Sequence, residues 1–409
     1  MIHRVSFRGG LRIARRLALI SLCASASALA DGSGGGSLMS GPAFANEMEG
    51  SLVRAIVGLR ERGLKQAMGE IDRALLRNPN FRLGHLVRGD MLMARAGKPV
   101  AFASLAAAPG SVAPLQDEAR VRLQRYLLDA PRVDDMPAPV LQLAPRQSHV
   151  IVVDTSRSRL YVYANDGGRP RYVTDFYTSL GKKGVEKRRE GDQKTPLGVY
   201  TVIDSRKKLP DFYGPGAFPL DYPNAWDRLH KRNGSGIWLH GTPSETYSRP
   251  PWATDGCIAL ANEDFRKLGK YVDVNRTPVV IGQALQWRDG KSWQVERDAF
   301  LASFGRWRTD WESRDMNRYF AHYSPQFRSE SRDLASWKAQ KRRVNAGKQW
   351  IKVGVKDLSV FAYPGSAHTV MVTFEQDYRS NNLSNRVVKR QFWAREGREW
   401  RIVHEAVVS

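Results

Sequence analysis

Apolar residues between positions 47 and 131 recur at spacings of three and four, which is the period of an amphipathic helix. The positions that carry this pattern are Leu52, Ile56, Leu59, Leu64, Ala67, Ile71, Ala74 and Leu75. Asn78-Pro79 interrupts the pattern, and a further helix is predicted from Phe81 to Ala96. Residues 47–131 are therefore predicted as a helical region.

The pattern changes at His149, where short runs rich in β-branched and aromatic residues replace the helical spacing. Strands are predicted at Val150–Val153, Leu160–Tyr163, Tyr172–Ser179, Gly198–Ile203, Ile237–Leu239 and Pro278–Ile281. Residues 156–159 form a turn between the first two strands, which indicates a hairpin. A helix is predicted only from Asn262 to Tyr271. Residues 148–283 are therefore predicted as a mostly-β domain with a loop-rich middle.

A third pattern follows the turn at Asp289-Gly290-Lys291. A helix is predicted from Glu296 to Phe320, with large apolar side chains at Phe300, Phe304, Trp307, Trp311 and Phe320. Alternating strands are then predicted at Trp350–Val355, Thr369–Gln376, Val387–Ala394 and Glu399–His404. A helix followed by an antiparallel sheet is typical of α+β domains, here over residues 295–409.

Amino-acid composition indicates the nature of the segments that flank and connect these regions. Residues 31–46 are rich in Gly and Ser and are interpreted as a flexible linker, and residues 132–147 as a Pro-rich linker. Residues 1–30 have five arginines, a short apolar stretch and a small-residue site at Ala28-Leu29-Ala30, which together predict a secretory signal peptide. The alternative is an uncleaved anchor. No later segment of the sequence is apolar for long enough to span a bilayer.

Removal of that signal peptide would change the charge and the cysteine content. The formal charge of +23 falls to +18, and Cys257 is the cysteine that remains. A single thiol in an oxidising compartment forms no internal disulfide, so a catalytic role would explain its presence. The basic charge indicates an anionic partner. Export argues against nucleic acid and favours cell-wall polymers that carry carboxylates, with a solvated basic surface as the alternative.

Candidate chemistry lies between residues 237 and 258. His240 ends an apolar strand, and Cys257 follows the turn-prone stretch Thr254-Asp255-Gly256. A cysteine attacks as its thiolate, and a histidine can accept the thiol proton and return it to a leaving amine. Gly256 would let backbone N–H groups turn toward an oxyanion. If Cys257 starts the helix predicted at Asn262, the N-terminal field of that helix would also favour the thiolate. The alternative is a buried free cysteine beside a core histidine.

This stretch resembles the L,D-transpeptidase catalytic domain, the YkuD-like family. The motifs are His240-Gly241 and, about fifteen residues later, Thr254-Asp255-Gly256-Cys257. The upstream segment 191–198, with its Thr195-Pro196-Leu197-Gly198, and the hairpin from Val150 to Tyr163 also resemble the family. The resemblance covers about residues 150–282, roughly a third of the chain, and implies a YkuD-like β-sandwich.

The resemblance also implies a mechanism without a metal or other cofactor. Cys257 would attack the amide before the terminal D-alanine of a peptidoglycan tetrapeptide stem, with His240 as its base. The carbonyl of Gly241 would orient the imidazole, and the N–H groups of Gly256 and Cys257 would form the oxyanion hole. An amine or water would then resolve the acyl-enzyme.

The sequence departs from the family pattern at two positions. Asp255 stands where a histidine is frequent, and Ala259 where an arginine is frequent. Asp255 would either destabilise the thiolate by repulsion or cap the following turn, and capping is the favoured interpretation. The predicted substrate-binding residues are Thr254, Asp255, Arg249, Trp252 and Tyr213. The segment from Tyr213 to Phe218, together with Trp226, would form a lid or wall over the cleft or pack in the core.

Two further resemblances concern the flanking regions. The spacing of Gly63, Ala67, Ala74 and Pro79 resembles a tetratricopeptide hairpin, with a plain helical domain as the alternative. Either would serve for packing or for docking a protein partner. The order of elements after residue 295, with Trp311, Tyr319 and Tyr323, resembles the cone-like nuclear transport factor two fold. That domain would be an accessory module for binding or positioning.

Three functions follow from these resemblances. The first is a periplasmic or otherwise extracytoplasmic L,D-transpeptidase that remodels the wall and affects cell shape. The second is an L,D-carboxypeptidase that trims tetrapeptides to tripeptides. The third is a non-catalytic wall-binding scaffold. In each case the partners are peptidoglycan stem peptides rather than nucleic acid, and after signal cleavage the chain is not expected to be an integral membrane protein.

Overall fold

The computed structural model describes residues 46–98, 109–127, 134–329, 332–366 and 368–408 of the 409-residue chain. The predicted signal peptide and nearly all of the predicted linker 31–46 lie outside the described residues. The chain divides into two compact units. One combines the N-terminal helices with the segment Glu245–Pro251, and the other contains residues 131–244 and 252–409.

The helical unit confirms the predicted helical region. Its helices are α1 (Glu47–Glu61), α2 (Leu64–Arg77), α3 (Arg82–Arg95) and α4 (Pro109–Leu127). Helix α1 begins after Asn46 because the side-chain oxygen of Asn46 accepts a hydrogen bond from the N–H of Met48 at 2.8 Å. Gly63, at φ 79°, lets the chain reverse between α1 and α2. Leu52 and Ile71 of the predicted apolar face are fully buried. The likeness to a tetratricopeptide hairpin stays a prediction.

The second unit contains the central region. Its strands are β1 (Met136–Pro137), β2 (Val140–Gln142), β3 (His149–Asp154), β4 (Arg159–Asp166), β5 (Arg169–Tyr177), β6 (Leu180–Gly181), β7 (Gly198–Thr201), β8 (Ala217–Pro219), β9 (Trp238–His240), β10 (Trp252–Thr254), β11 (Ile258–Ala259), β12 (Pro278–Gly282) and β13 (Trp287–Arg288). Helices α5 (Ala225–Leu229) and α6 (Asn262–Leu268) lie among them. This confirms a mostly-β central region.

Two of the central sheets determine where the candidate site lies. The larger has the order β5-β4-β3-β12-β7, with β3 and β12 parallel and the other pairs antiparallel. Strands β3 and β12 are almost entirely buried, as their continuous apolar runs predict. The smaller sheet has the order β11-β9-β8. Its central strand, β9, ends at His240.

The C-terminal region confirms the predicted α+β plan. Its elements are α7 (Gly290–Glu312), α8 (Met316–Ala321), β14 (Tyr323–Ser329), α9 (Leu334–Ala346), β15 (Ile351–Ala362), β16 (Thr369–Ser380), β17 (Ser384–Glu396) and β18 (Glu399–Val408). The sheet order is β14-β18-β17-β16-β15-β2. The helices cover an aromatic core in which Trp307, Tyr319 and Trp393 are fully buried.

The single helix predicted over 296–320 is wrong, because the chain forms two helices there. Arg314 adopts a left-handed conformation at φ 64°, which ends the helical path. Asp315 then starts α8 by accepting hydrogen bonds from the N–H groups of Asn317 and Arg318, at 2.9 and 3.1 Å.

The Pro-rich segment 132–147 is not the free linker that its composition predicts. Strand β2 pairs with β15 of the C-terminal sheet, with Gln142 opposite Val360. Val140 and Leu143 enter a buried cluster whose other members come from both the central and the C-terminal regions. The prolines were misleading because Pro137 and Pro139 lie at or beside the short strands β1 and β2. The central and C-terminal regions therefore share one core.

The helices within the described ranges include none that is both long and apolar enough to cross a membrane.

Candidate active site

Strand register places the two predicted catalytic residues at neighbouring strands. Strand β11 runs parallel to β9, with Ile258 opposite Leu239 and Ala259 opposite His240. Neighbouring strands lie about 4.8 Å apart, and successive residues advance about 3.3 Å. Cys257 immediately precedes β11, so its backbone lies one strand across from His240 and two residues along. That separation lets a cysteine and a histidine side chain meet.

His240 is buried and its ring has a defined orientation. Its Nδ1 is 2.6 Å from the carbonyl oxygen of Gly241, to which it donates a hydrogen bond. In the neutral ring, a proton on Nδ1 leaves Nε2 as the nitrogen that can accept one. This contact is the one that the family resemblance implied for Gly241.

Aromatic side chains of the 3-10 turn Asp211–Tyr213 lie against the imidazole of His240. The ring of Tyr213 is 5.3 Å from it, edge to face, and Phe212 stacks at 6.1 Å. The carbonyl of Tyr213 also accepts a hydrogen bond from the N–H of Gly241 at 3.1 Å. Tyr213 was predicted to bind substrate and lies at the site. Phe212 was missed, although an exposed aromatic before a Gly-Pro-Gly loop was a usable signal.

The turn before Cys257 needs a glycine and is closed by a threonine. Gly256 has φ 126°, and a Cβ there would lie 2.7 Å from the carbonyl oxygen of Lys194. The hydroxyl of Thr254 accepts from the N–H of Gly256 at 3.2 Å and donates to the carbonyl of Cys257 at 2.7 Å. Thr254, predicted to bind substrate, is buried and holds the turn instead. The amide of Gly256, a predicted oxyanion donor, has this bond in the structure.

Sequence reasoning missed Thr195 and Asn262 because both act on backbone groups far away along the chain. The hydroxyl of Thr195 donates to the carbonyl of Gly256 at 3.1 Å and accepts from the N–H of Gly181 at 2.9 Å. The side chain of Asn262 accepts from the N–H of Thr242 at 2.8 Å, beside His240-Gly241. The Thr-Pro-x-Gly segment was the available signal for Thr195.

The thiol of Cys257 is partly exposed, and it donates to the carbonyl of Gly236 at 3.2 Å. This bond requires the protonated thiol. The helix predicted from Asn262 is confirmed, but Cys257 does not start it, since β11 intervenes and α6 begins only at Asn262. A helix N-terminal field therefore does not act at this sulfur, because that field fades within the first turn.

The side chain of Asp255 does not cap the turn before Cys257, whereas the repulsion weighed for it stays a prediction. Its carboxylate, 70% exposed, lies 2.8 Å from Nζ of Lys182 and accepts from Nε2 of Gln193 at 3.2 Å. The capping interpretation is wrong, because the hydroxyl of Thr254 accepts the turn's N–H bond. Lys182 and Asp255 thus form an exposed ion pair two residues before the nucleophile.

The remaining predicted residues lie on separate elements of the chain. Trp252 lies on β10 opposite Leu180 and is 37% exposed. Arg249 belongs to the segment that groups with the helices, in the other compact unit. Trp226 is buried and stacks on Phe392 at 4.8 Å, so it is a core residue rather than a cleft wall. Within the part of the chain that the structure describes, no cluster of three or more His, Cys, Asp or Glu residues has an arrangement that would hold a metal.

Two regions of the chain match known families. Residues 148–281 match the L,D-transpeptidase catalytic domain, YkuD. Residues 299–406 match the C-terminal NTF2-like domain of Cds6. Both resemblances drawn from the sequence are thereby confirmed: the central region is of the L,D-transpeptidase catalytic type, and the C-terminal region is of the NTF2-like type.

Individual proteins resemble the chain to different extents. The putative L,D-transpeptidase YafK of Escherichia coli K12 is 31% identical over 86 residues, which cover 21% of this chain and 31% of YafK. The match thus spans about a third of that relative. The structure of Bd1075 from Bdellovibrio bacteriovorus superposes with a TM-score of 0.60 at 26% identity, covering 67% of this chain and 98% of Bd1075.

A second solved structure is similar over the same extent. It is a point mutant of Pgp2, the helical cell shape determining protein of Campylobacter jejuni. Its TM-score is 0.55 at 25% identity, covering 66% of this chain and 94% of that one. The likeness therefore extends beyond the catalytic region alone.

Proposed function

We propose that this protein is an exported cysteine L,D-transpeptidase that acts on the tetrapeptide stems of peptidoglycan. The observation that carries the proposal is the placement of Cys257 beside β9, whose last residue, His240, has its ring oriented by the carbonyl of Gly241. The resemblance to YafK supports the reaction class. The resemblance to the cell shape determining protein Pgp2 supports a role in wall remodelling and cell shape, which requires a location outside the cytoplasm.

The first half-reaction forms an acyl-enzyme. His240 takes the thiol proton on Nε2, and Sγ of Cys257 attacks the carbonyl carbon of the amide before the terminal D-alanine. The C–N bond breaks as the imidazolium returns its proton to the leaving amine. D-alanine leaves, and the third residue of the stem is held to Cys257 as a thioester. The thiol also donates to the carbonyl of Gly236 in the structure, and this bond is lost when the thiol proton moves to the imidazole.

The second half-reaction releases the enzyme. An acceptor amine attacks the thioester carbon, His240 takes its proton, and the C–S bond breaks as that proton returns to the sulfur. An amine acceptor yields a cross-link or an exchanged D-amino acid. Water as the acceptor would yield a tripeptide, which is the outcome of an L,D-carboxypeptidase.

The developing oxyanion needs donors that point at it before it forms. The N–H of Cys257 and the N–H of Gly256 are the proposed pair. Because Gly256 donates to Thr254 at 3.2 Å, a long bond, that amide would exchange its partner when the oxyanion appears.

The substrate would contact the aromatic and charged side chains around His240 and Cys257. Phe212 and Tyr213 lie against His240, whereas Trp252, on β10, and Asp255, directly after that strand, both precede Cys257. Asp255 and Lys182 present both signs of charge, which suits a stem peptide that carries carboxylates and an ammonium group. Arg249 remains a proposed contact of the stem.

The test incubates the mature chain with tetrapeptide muropeptides and identifies the products by mass spectrometry. Dimers or exchanged D-amino acids are expected, whereas tripeptides alone would assign the carboxypeptidase reaction. Cys257→Ala should abolish either product, and Ser244→Ala, an exposed change in the same connection, should not. A carbapenem, an inhibitor class of this family, should acylate Cys257. Turnover that survives Cys257→Ala would refute the mechanism, and the absence of both turnover and acylation would favour the scaffold.

A further inference from the structure

The segment Glu245–Pro251 is part of the 16-residue connection, residues 241–256, that joins His240 to Cys257. It nevertheless groups with the N-terminal helices in one compact unit, whereas Ser244 before it and Trp252 after it belong to the other unit. The chain between the proposed base and nucleophile thus leaves one unit and returns to it.

An aromatic contact holds the segment to the helices. Tyr247 is 6% exposed, and its ring centroid is 4.8 Å from that of Phe81 at an interplanar angle of 65°. Phe81 is fully buried at the start of α3. In this edge-to-face arrangement the positive edge of one ring meets the negative face of the other, an attraction that adds to the burial of the rings.

A hydrogen bond to a buried ion cluster is the second attachment. The hydroxyl of Ser248 donates to Oε1 of Glu118 at 2.7 Å. Arg122 donates to the same oxygen of Glu118 through Nε and Nη2, at 3.0 and 2.9 Å, and to Glu49 through Nη1 at 3.1 Å. Glu118 and Arg122 are both almost fully buried. The carboxylate of Glu118, which accepts the bond from Ser248, is therefore held in place by the ion cluster between α1 and α4 and does not rearrange freely.

We propose that the helical unit is a clamp that positions the nucleophile, with Tyr247 and Ser248 as its positioning residues. The part of this inference that concerns turnover rests on the proposed function, whereas the clamp itself does not. Holding seven residues in the middle of a 16-residue connection removes most of the conformational freedom of that connection.

The effect reaches Cys257 along the chain. Trp252 follows the clamped segment directly and opens β10, which pairs with β6 only at Trp252 and Thr254. Thr254 ends this short strand, and its hydroxyl closes the turn at Gly256 and Cys257. If the segment is released, β10 loses the restraint on its N-terminal side. The bonds of Thr254 then persist for less time, and the thiol is aligned with His240 less often.

The test compares Ser248→Ala, Tyr247→Ala and Tyr247→Phe with Ser244→Ala, an exposed change on the unclamped side of the same connection. The first readout is chymotryptic cleavage after Tyr247, followed by mass spectrometry. Ser248→Ala should raise its rate about fivefold, the factor that corresponds to one net hydrogen bond of about 1 kcal/mol. Ser244→Ala should leave the rate unchanged, and the far-ultraviolet circular dichroism of every variant should match the parent.

The second readout is the rate of Cys257 alkylation by iodoacetamide as a function of pH. Tyr247→Ala should move the profile to higher pH, because the thiolate is paired less often with the His240 imidazolium. Tyr247→Phe keeps the ring contact and should restore the parent profile. With muropeptides, Tyr247→Ala should lower kcat more than it raises KM.

Two results would overturn the clamp. One is cleavage of Ser248→Ala at the rate of Ser244→Ala, and the other is an alkylation profile that Tyr247→Ala leaves unmoved. If the parent chain turns over no muropeptide while cleavage and alkylation respond as expected, the clamp stands and the proposed function fails.

Discussion

The hydroxyl of Thr195 lies 3.1 Å from the carbonyl oxygen of Gly256 and ties together two segments that are far apart along the chain. The same hydroxyl accepts from the N–H of Gly181. One fully buried side chain therefore satisfies a donor and an acceptor of the backbone around the candidate nucleophile.

Replacing Thr195 with Val should remove both bonds while preserving the shape of the side chain. Leaving a buried backbone group unsatisfied costs about 1–3 kcal/mol, and this substitution leaves two such groups. We therefore expect the free energy of unfolding to fall by at least about 1–3 kcal/mol and kcat/KM to fall at least roughly tenfold. Chemical denaturation and muropeptide turnover measure the two effects. Thr195→Ser, which keeps the hydroxyl, is the control. If the Ser and Val variants are equally stable and equally active, the hydroxyl of Thr195 does not hold the backbone around Cys257.

Gly256→Ala tests the turn before Cys257. At φ 126°, with the oxygen of Lys194 2.7 Å from the new Cβ, the substitution should cost about 1–3 kcal/mol and strongly lower the rate of Cys257 acylation. Gly305, in α7, has open space around it, so Gly305→Ala should instead stabilise the chain by about 0.5–1 kcal/mol. If both variants unfold at the same denaturant concentration, the turn does not need its glycine.

Asp192 makes the loop before Thr195 sensitive to acid. Burial raises the pKa of its carboxyl, but the Lys187 ammonium at 2.8 Å and the backbone N–H groups of Arg188, Arg189 and Lys194 outweigh this and lower the pKa to about 2. A depressed pKa means that the stabilisation is complete above the unfolded value near 3.8 and is lost as the pH falls toward 2.

The acid sensitivity can be measured with Asp192→Asn. At about pH 5 the variant should unfold at a lower urea concentration than the parent, and at about pH 2.5 the difference should have narrowed. Glu190→Gln, an exposed change in the same loop, is the control. If the difference in urea midpoint between Asp192→Asn and the parent stays constant with pH, the negative charge of Asp192 contributes nothing to stability.

Trp226→Ala tests the shared core. The indole stacks on Phe392 of the C-terminal sheet and lies 5.8 Å from the ring of Tyr363. Its removal should cost about 3–5 kcal/mol. Because the central and C-terminal regions bury one cluster, calorimetry should show a single transition for both that moves to lower temperature. If calorimetry instead shows two transitions and the substitution lowers the melting temperature of only one, the two regions unfold separately.

Asp255→Asn separates binding from stability. The pair with Lys182 is exposed on both sides, so its loss should change the free energy of unfolding by less than about 1 kcal/mol. If the carboxylate recognises an ammonium group of the stem or the acceptor, KM should rise while the melting temperature stays fixed. Glu263→Gln, which removes a carboxylate from an exposed pair elsewhere, should leave KM unchanged.

Much of the candidate site could be predicted because its signals are local. The apolar run Ile237–Leu239 and the small residues before Cys257 are adjacent to the residues that they position. Thr195 and Asn262 escaped prediction, since their partners are backbone groups that only the fold brings near. Helix α9 was missed because, among its described residues, Trp337 is the one that is buried. Its many polar positions hide the helical period.

Strand β2 precedes the catalytic region in the chain but forms the edge of the sheet that follows it. The two regions are therefore interlaced rather than arranged end to end. A catalytic fragment cut out at residue 290 would retain Val140 and Leu141 with no sheet to receive them, and would expose an unpaired strand. The central and C-terminal regions should therefore be kept together when this protein is engineered, since exchanging the C-terminal region for another would leave the central region prone to aggregation.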